Sequence, residues 1–247
     1  MIIGSLTSGV LNRILRRIEI FPDVEPWVAQ IISETRPFTM TSGLRISTLC
    51  HAVRYVARSK IPGDLVECGV WRGGSMMAAA MTLRGEQDCS RTLHLFDTFD
   101  GMSPPTEADR DAMSGLRAAS LLKKARKSSP IWCCSPLDEV RANLARTNYP
   151  ADRARFIVGK VEDTIPREAP DKISILRLDT DWYESTKHEL VHLYPKLSVG
   201  GVLIVDDYGH WQGARQAVDE YLNDNRLPIL LNRIDYTGRI AIKTELH

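Results

Sequence analysis

Four aspartates stand at the ends of two apolar segments in the second half of the chain. Asp179 and Asp181 close the segment ISILRLDTD, and Asp206 and Asp207 close GVLIVDD. Carboxylate oxygens are ligands that Mg²⁺ prefers, and neighbouring parallel strands lie about 4.8 Å apart, so acids at their ends can share one cation. Without a cation these acids would repel one another, and at least one would be driven to bind a proton. The alternative is that each aspartate caps the helix that follows it.

The residues that follow Asp181 offer a competing chemistry. Residues 188–192 read HELVH, which matches the H-E-x-x-H string of zinc proteases. A zinc site needs a third ligand and an open cleft, whereas this chain runs on into a proline, a Gly-Gly turn and an apolar strand. The string falls in a predicted helix whose apolar face comprises Leu190, Val191 and Tyr194 and packs on the flank of a sheet. We therefore interpret it as part of a structural helix.

Strands and crossover helices must position these acids. From residue 64 onward, short β-rich segments alternate with longer helical patterns, which is typical of a parallel sheet. In an open α/β sheet the ligand crevice lies at the carboxyl ends of the strands, so acids there converge on one edge. Two further segments flank DYTG near the C-terminus and predict an antiparallel hairpin at the sheet edge. The predicted parallel strands are residues 64–68, 92–97, 154–159, 173–179 and 201–207.

The first predicted strand leads into the glycine-rich turn VECGVWRGGS. Gly69 and Gly73 let the backbone approach a ligand closely, and the helix that follows supplies free N–H donors. The spacing matches neither G-x-G-x-x-G nor G-x-x-x-x-G-K-[ST], which argues against NAD and ATP. Glu67 would repel a phosphate but could accept from an ammonium group, and Asp97 at the next strand end is placed to accept from both hydroxyls of a ribose. Residues 159–164, GKVEDT, could hold an adenine edge.

Composition limits the partners of this site. The chain has 247 residues with 43% hydrophobic content, enough for one catalytic domain. Its 32 basic and 31 acidic residues leave a net charge of +1, so we expect neither nucleic acid nor a membrane as a partner. Five cysteines without a C-x-x-C argue against a disulfide framework and predict a reducing, cytoplasmic location. No segment is long and apolar enough to span a membrane.

Five motifs together resemble the macrocin O-methyltransferase family, whose members use S-adenosylmethionine to methylate sugar hydroxyls in natural products. They are PGDLVECGVWRGGS, LFDTFDGM, GKVEDTIP, LRLDTDWYESTKHELVHLYP and GGVLIVDDYGHWQGARQAVDEY. The resemblance covers residues 39–245. It implies an α/β class I methyltransferase fold, Rossmann-like, with a seven-stranded, mostly parallel sheet. It also implies S-adenosylmethionine on the first half of the carboxyl edge, Mg²⁺ on the second half, and a sugar or glycosylated small molecule as the acceptor.

The spacing of apolar residues divides the chain into two predicted parts. Residues 1–60, mainly helical by their apolar spacing, form an N-terminal extension that packs on the body or on a second subunit. Residues 61–247 form the methyltransferase domain, and we expect a homodimer or a higher homo-oligomer. Residues 101–135, polar and proline-marked, are either a lid that contacts the acceptor or an ordinary solvated loop.

Site residues follow from the motifs and the resemblance. The resemblance implies Asp179, Asp206 and Asp207 as the metal ligands. Asp181 lies just beyond the strand end and is the expected general base, with Asp179 as its rival. His210 and Trp211 either form a wall of the acceptor pocket or, for Trp211, pack under the last crossover. The candidate cofactor-binding residues are Thr41, Glu67, Gly69, Trp71, Gly73, Ser75, Asp97, Gly159, Val161, Glu162, Asp163 and Asp179.

One other function fits part of this pattern. The string Asp179-Thr180-Asp181 also matches the D-x-D of metal-dependent nucleotide-sugar transferases, in which acids hold a metal bound to a diphosphate. That alternative leaves the glycine-rich turn without a role. We therefore predict a Mg²⁺-dependent, S-adenosylmethionine-dependent O-methyltransferase.

Overall fold

The computed structural model describes residues 23–126 and 129–244, which form one seven-stranded sheet flanked by helices. The strand order is β3-β2-β1-β4-β5-β7-β6. Strands β1 to β5 are parallel, and β7 runs antiparallel to both β5 and β6. The strands are Asp64–Cys68 (β1), Leu93–Asp97 (β2), Ala154–Val158 (β3), Ile173–Leu178 (β4), Leu197–Val205 (β5), Asn232–Arg233 (β6) and Arg239–Ile242 (β7).

The predicted strands are confirmed to within two residues at each end, except at the start of β5 and in the terminal hairpin. Strand β5 begins at Leu197 rather than at residue 201, because its Gly-Gly pair lies inside the strand beside a register irregularity in β4. The terminal hairpin is shorter than predicted, with only two residues in β6. Its turn is closed by Asp235, whose Oδ1 accepts from the N–H groups of Thr237 (2.9 Å) and Gly238 (2.7 Å).

Eight α-helices are described, and they cover both faces of the sheet. Apolar strands buried on both faces are expected where helices cross over a parallel sheet, and every residue of β4 is buried. No helix in the described part of the chain combines the length and hydropathy needed to cross a bilayer. The helices are Pro26–Thr35 (α1), Gly43–Arg58 (α2), Gly74–Gly85 (α3), Ala118–Lys124 (α4), Leu137–Ala145 (α5), Val161–Thr164 (α6), Tyr183–Leu193 (α7) and Gln212–Asp224 (α8).

The N-terminal helices pack on the body of the protein. Val28 and Ile32 of α1 and Ile46 of α2 form a buried cluster with Ala78 of α3. Residues 1–22 of the predicted N-terminal extension lie outside the described residues. The described part of that extension therefore forms one wall of the same structure that carries the sheet.

The strand order reverses at β1, which has β2 on one side and β4 on the other. The crossover connections on the two sides of β1 run in opposite directions. A switch point of this kind opens a crevice at the carboxyl ends of the strands. Gly69, with φ of 84°, follows β1, and a Cβ at this position would lie 2.0 Å from the carbonyl oxygen of Asp179. Only glycine allows the ends of β1 and β4 to approach this closely.

Residues 101–135 are anchored to the body at Asp109, which is completely buried. Its Oδ1 accepts from the N–H of Tyr183 (2.7 Å), the first residue of α7, and its Oδ2 accepts from the N–H of Thr106 (2.6 Å). Helix α4 adds apolar contacts, because Ala118 and Leu122 pack in a cluster with Trp182 and Trp211. The segment is thus held to the body at these points, while residues 113–117 are exposed, and its role as a lid stays a prediction.

We predict that Asp109→Ala destabilises the protein by about 1–3 kcal/mol, because the buried N–H groups of Tyr183 and Thr106 lose their acceptor. Urea unfolding measures this loss, and limited proteolysis should cut residues 101–135 faster in the variant. Asp100→Ala removes an exposed carboxylate immediately before this segment and serves as the control. Equal stability of the Asp109 variant and the wild type would show that this segment is held by other contacts.

Candidate active site

A cavity of about 370 Å³ opens at the carboxyl ends of β1, β2, β4 and β5. The predicted metal ligands, the predicted base and both predicted acceptor residues line it. Most of the candidate cofactor residues line it as well: Thr41, Gly69, Trp71, Ser75, Asp97, Gly159, Val161, Glu162 and Asp179. Glu67, Gly73 and Asp163 do not. One cavity therefore brings the glycine-rich turn and the aspartates together.

Asp97 ties the end of β2 to the glycine-rich turn. Its Oδ2 accepts from the N–H groups of Val70 (2.6 Å) and Trp71 (3.1 Å), and its Oδ1 accepts from the N–H of Phe99 (2.7 Å). Burial raises the pKa of this carboxyl, and the three backbone donors oppose that rise. Asp97 thus holds the shape of the turn, and its expected contact with a ribose stays a prediction.

Arg177 is a buried cation beneath the cavity that the sequence analysis missed. Its Nη1 donates to Glu67 Oε1 (2.6 Å) and Asp179 Oδ2 (2.7 Å), and its Nη2 donates to Thr41 Oγ1 (3.0 Å). Its Nη2 also lies 2.7 Å from Asp206 Oδ1. Burial raises the pKa of Glu67 to about 8, although the charge of Arg177 acts against this. The sequence feature that could have identified this residue is an arginine inside the apolar strand ISILRLD.

Asp179, Asp181 and Asp207 form a compact carboxylate group. One oxygen from each lies within 4.8 Å of the others, and the described residues contain no other group of three acidic, histidine or cysteine side chains arranged to hold a metal. Asp206 is turned away from this group and contacts both Arg177 and Arg45. The structure therefore brings together two of the three predicted ligands with the predicted base.

Burial and mutual repulsion disfavour the ionised form of these acids. The pKa values of Asp179 and Asp207 are raised well above the usual range, chiefly by burial and then by neighbouring carboxylates. For Asp181 the same causes raise the pKa to about 7, while hydrogen bonds with Asp207 and Trp211 oppose the rise. At neutral pH the group is poised to exchange a proton or to accept a cation.

The HELVH string lies in α7, away from the cavity. His188 Nε2 is 3.0 Å from the carbonyl oxygen of Ile165, and Glu189 is completely buried in the core. His188 and His192 do not belong to a metal-holding group of the described residues. Val191 is 44% exposed, so its assignment to the apolar face of the helix was wrong. The buried face comprises Leu190 and Leu193, and Val191 lies between them in sequence on the exposed side of the turn. The geometry supports the structural interpretation of the string.

The far wall of the cavity is aromatic. Trp211 lines the cavity and also packs edge-on against Trp182, with ring centroids 5.0 Å apart. It is therefore a packing residue in the cavity wall, and its expected contact with an acceptor stays a prediction. His210 Nδ1 lies 2.5 Å from the hydroxyl of Tyr236, and its Nε2 lies 3.6 Å from Asp111 Oδ2. Sequence reasoning missed Tyr236, because it belongs to the hairpin turn and not to a strand end.

The fold and the cavity define the class of the protein. Five parallel strands, a reversed strand β7 between β5 and the edge strand β6, and a glycine-rich turn after β1 form the fold of a class I S-adenosylmethionine-dependent methyltransferase. A solved structure of the O-methyltransferase NovP superposes with a TM-score of 0.74 at 33% sequence identity, covering 84% of this chain and 83% of that chain. The predicted fold class is confirmed.

The family follows from sequence comparison. The model for the macrocin O-methyltransferase (TylF) family matches residues 33–242. The chain is 36% identical over 217 residues, 88% of this chain and 80% of the relative, to a rhamnosyl-tetracenomycin C 4'-O-methyltransferase of Streptomyces olivaceus. It is 33% identical over 202 residues, 81% and 76% of the two chains, to mycinamicin III 3''-O-methyltransferase of Micromonospora griseorubida. The chain belongs to the macrocin O-methyltransferase family.

We predict that the cation-free protein loses stability as pH rises, through Asp181. Its folded-state pKa of about 7 lies above the ordinary 3.8. The contribution of the protonated Asp181 carboxyl to stability is therefore complete below about pH 4 and is lost as the pH rises through 7. The slope from one such group is at most about 1.4 kcal/mol per pH unit. Urea unfolding of the wild type and of Asp181→Asn in EDTA, from pH 4 to 8, measures the difference.

The wild type should lose stability relative to Asp181→Asn across this range. Asp100→Asn, which removes an exposed carboxyl, controls for the change in net charge. A stability difference between the wild type and Asp181→Asn that does not change with pH would contradict the raised pKa.

Proposed function

We propose that this O-methyltransferase transfers the methyl group of S-adenosylmethionine to a hydroxyl of a sugar or of a glycosylated small molecule in natural-product biosynthesis. The observation that carries the proposal is that a single cavity joins the glycine-rich turn to the carboxylate group. A methyl donor and a deprotonated acceptor must meet in one place. The rhamnosyl-tetracenomycin and mycinamicin names of the relatives agree with a sugar acceptor.

The charge of the cavity fits a cationic cofactor. Six carboxyl groups line it (Asp97, Glu162, Asp179, Asp181, Asp206 and Asp207), against the cations Arg45 and Lys160. S-adenosylmethionine, when bound, supplies an electrophilic methyl group on a positively charged sulfonium. The acids of the cavity favour that positive charge, whereas a pyrophosphate would meet repulsion. Family membership also argues against the nucleotide-sugar transferase alternative.

The acids also fit a divalent cation. Asp179 and Asp207 each offer an oxygen in the compact carboxylate group, and carboxylate oxygens are the ligands that Mg²⁺ prefers. Asp206 is buried, and its two oxygens contact the guanidinium groups of Arg177 and Arg45. We propose Asp179, Asp206 and Asp207 as the ligands, with Asp206 exchanging one of its guanidinium contacts for the cation. Bound there, Mg²⁺ would supply Lewis-acid chemistry that lowers the pKa of an acceptor hydroxyl.

Asp181 is proposed as the general base that takes the proton of this hydroxyl. A base works best when its pKa lies near the working pH, and the pKa of Asp181 is about 7. The hydrogen bond from Trp211 favours its charged form and fixes its direction. Asp179 remains the rival, since it lies in the same group but also contacts Arg177.

The aromatic wall is proposed as the acceptor side. His210 and Tyr236 form a hydrogen-bonded pair there. Met102, Ser103 and Ile131 of the 101–135 segment line the same cavity, and Met102 and Ile131 pack against the cluster that contains Trp211. Aromatic faces and hydroxyl-bonding groups together suit a sugar, which has apolar and polar faces. This segment differs from the strands in composition and would set which acceptor fits.

We predict that S-adenosylhomocysteine raises the melting temperature of the protein and that NAD does not, by mass action on the folded state. Labelled S-adenosylmethionine offered with a panel of glycosylated acceptors and nucleotide sugars should give methylated products detectable by mass. If the protein binds S-adenosylhomocysteine but methylates none of these acceptors, the proposed sugar acceptor is wrong. If it binds neither form of the cofactor, the proposed cofactor site is wrong.

A second prediction separates the roles of the aspartates. Asp206→Asn removes one charge from the proposed cation site, so activity should fall at low Mg²⁺ and recover in part as Mg²⁺ is raised. Asp181→Asn cannot take up the proton at neutral pH, so its loss of about 10²- to 10⁴-fold should persist at saturating Mg²⁺. The kcat of each variant, measured across a Mg²⁺ titration, distinguishes a metal ligand from the general base.

S-adenosylhomocysteine affinity serves as the control for both variants and should stay near the wild-type value, since the glycine-rich turn is unchanged. If Mg²⁺ rescues Asp181→Asn but not Asp206→Asn, then Asp181 is a ligand. In that case the compact group Asp179, Asp181 and Asp207 is itself the cation site.

A further inference from the structure

The loop between β4 and α7 carries two acids of the site in a demanding conformation. Asp181 has φ of 70°, in the left-handed region that non-glycine residues seldom adopt. Such conformations are strained and persist only where surrounding contacts enforce them. The backbone of the loop is held at two points: Asp179 N–H donates to the carbonyl of Cys68 (2.8 Å), and Trp182 N–H donates to that of Thr180 (2.8 Å).

One side chain reaches this loop from the core. Thr180 Oγ1 donates to Glu189 Oε1 at 2.9 Å, and Glu189 lies two turns into α7 with no exposed surface. Thr180 lines the cavity, but Glu189 does not. The bond therefore connects the segment between Asp179 and Asp181 to the interior, from the side opposite the cavity.

This carboxyl group is a poor stabiliser of the fold. No lysine, arginine or histidine of the described residues forms an ion pair with Glu189. Besides Thr180, its carboxyl has only the thiol of Cys68, a weak donor, as a polar neighbour, and Oε2 has no strong donor. A buried carboxyl with so few donors costs stability, so an apolar side chain would suit the core better, and the carboxyl at this position requires another explanation.

We propose that Glu189 is a positioning residue, whose bond to the Thr180 hydroxyl holds the loop so that Asp179 and Asp181 face the cavity. The inference rests on the proposed function. Glu189 touches neither cofactor nor acceptor, and it acts through Thr180. The proposal thus gives the glutamate of the HELVH string a role that has no connection with zinc.

The test compares Glu189→Leu, Glu189→Gln, Thr180→Val and Thr180→Ser. Leu and Val remove the bond, whereas Gln and Ser keep an acceptor and a donor. We expect kcat to fall by about 10- to 100-fold in Glu189→Leu and Thr180→Val, as for other small displacements of catalytic groups. Glu189→Gln and Thr180→Ser should stay close to the wild type. The S-adenosylhomocysteine affinity should be unchanged throughout.

Melting temperature and hydrogen exchange separate positioning from simple stability. Glu189→Leu should melt no lower than the wild type, yet the Trp182 amide, which closes the loop, should exchange faster. Thr82→Val is the matched control, because it removes a buried hydroxyl that donates to Ala78 O (2.8 Å) in α3. The control should leave both kcat and the exchange of the loop unchanged.

The double variant adds a further check. If the two residues act as one unit, Glu189→Leu with Thr180→Val should lose no more activity than either single variant. Wild-type kcat and wild-type loop exchange in both single variants would overturn the inference, as would losses that follow melting temperature alone. If the wild type methylates no acceptor, the proposed function fails, and the exchange of the Trp182 amide then decides the inference by itself.

Discussion

The buried guanidinium of Arg177 is the interaction on which the rest of the site depends. Three acids from three neighbouring strand ends, Glu67, Asp179 and Asp206, meet at this one cation. A buried charge is tolerated only when it is paired and hydrogen-bonded, and removing one partner leaves the others uncompensated. A fourth contact, to Thr41, brings the N-terminal segment into the same network. Arg177 thus sets the relative positions of β1, β4 and β5 at the cavity floor.

Arg177 and Arg45 do not neutralise the cavity completely. Asp179, Asp181 and Asp207 keep raised pKa values because more carboxylates face the cavity than cations. This arrangement costs stability at neutral pH, and a bound cation would recover that cost, since a ligand that binds only the folded state stabilises it. Natural proteins commonly accept such local destabilisation where function needs it. The excess negative charge is therefore best understood as a feature of the binding site rather than of the fold.

Sequence reasoning was most successful where the signal is local. Apolar segments that end in acids identified β1, β2, β4 and β5, because parallel strands buried on both faces are continuously hydrophobic. It was least successful where a residue acts through a distant partner. Arg177, Arg45 and Tyr236 gain their roles only when the strand order is known. Asp109 is a further case, because a single buried aspartate in a polar segment produces no periodic pattern, and the sequence left that segment open between a lid and a solvated loop.

Asp179 links the two halves of the cavity more directly than any motif suggests. Its N–H donates to the carbonyl of Cys68, its own carbonyl lies against Gly69, and its carboxylate contacts Arg177. The backbone of the glycine-rich turn and the start of the acidic loop therefore touch at this residue. A change at one strand end must move the other, because no side chain lies between them to absorb it. In the proposed reaction the methyl donor and the acceptor hydroxyl must be in line, and a shared rigid contact keeps their separation fixed better than two independent loops could.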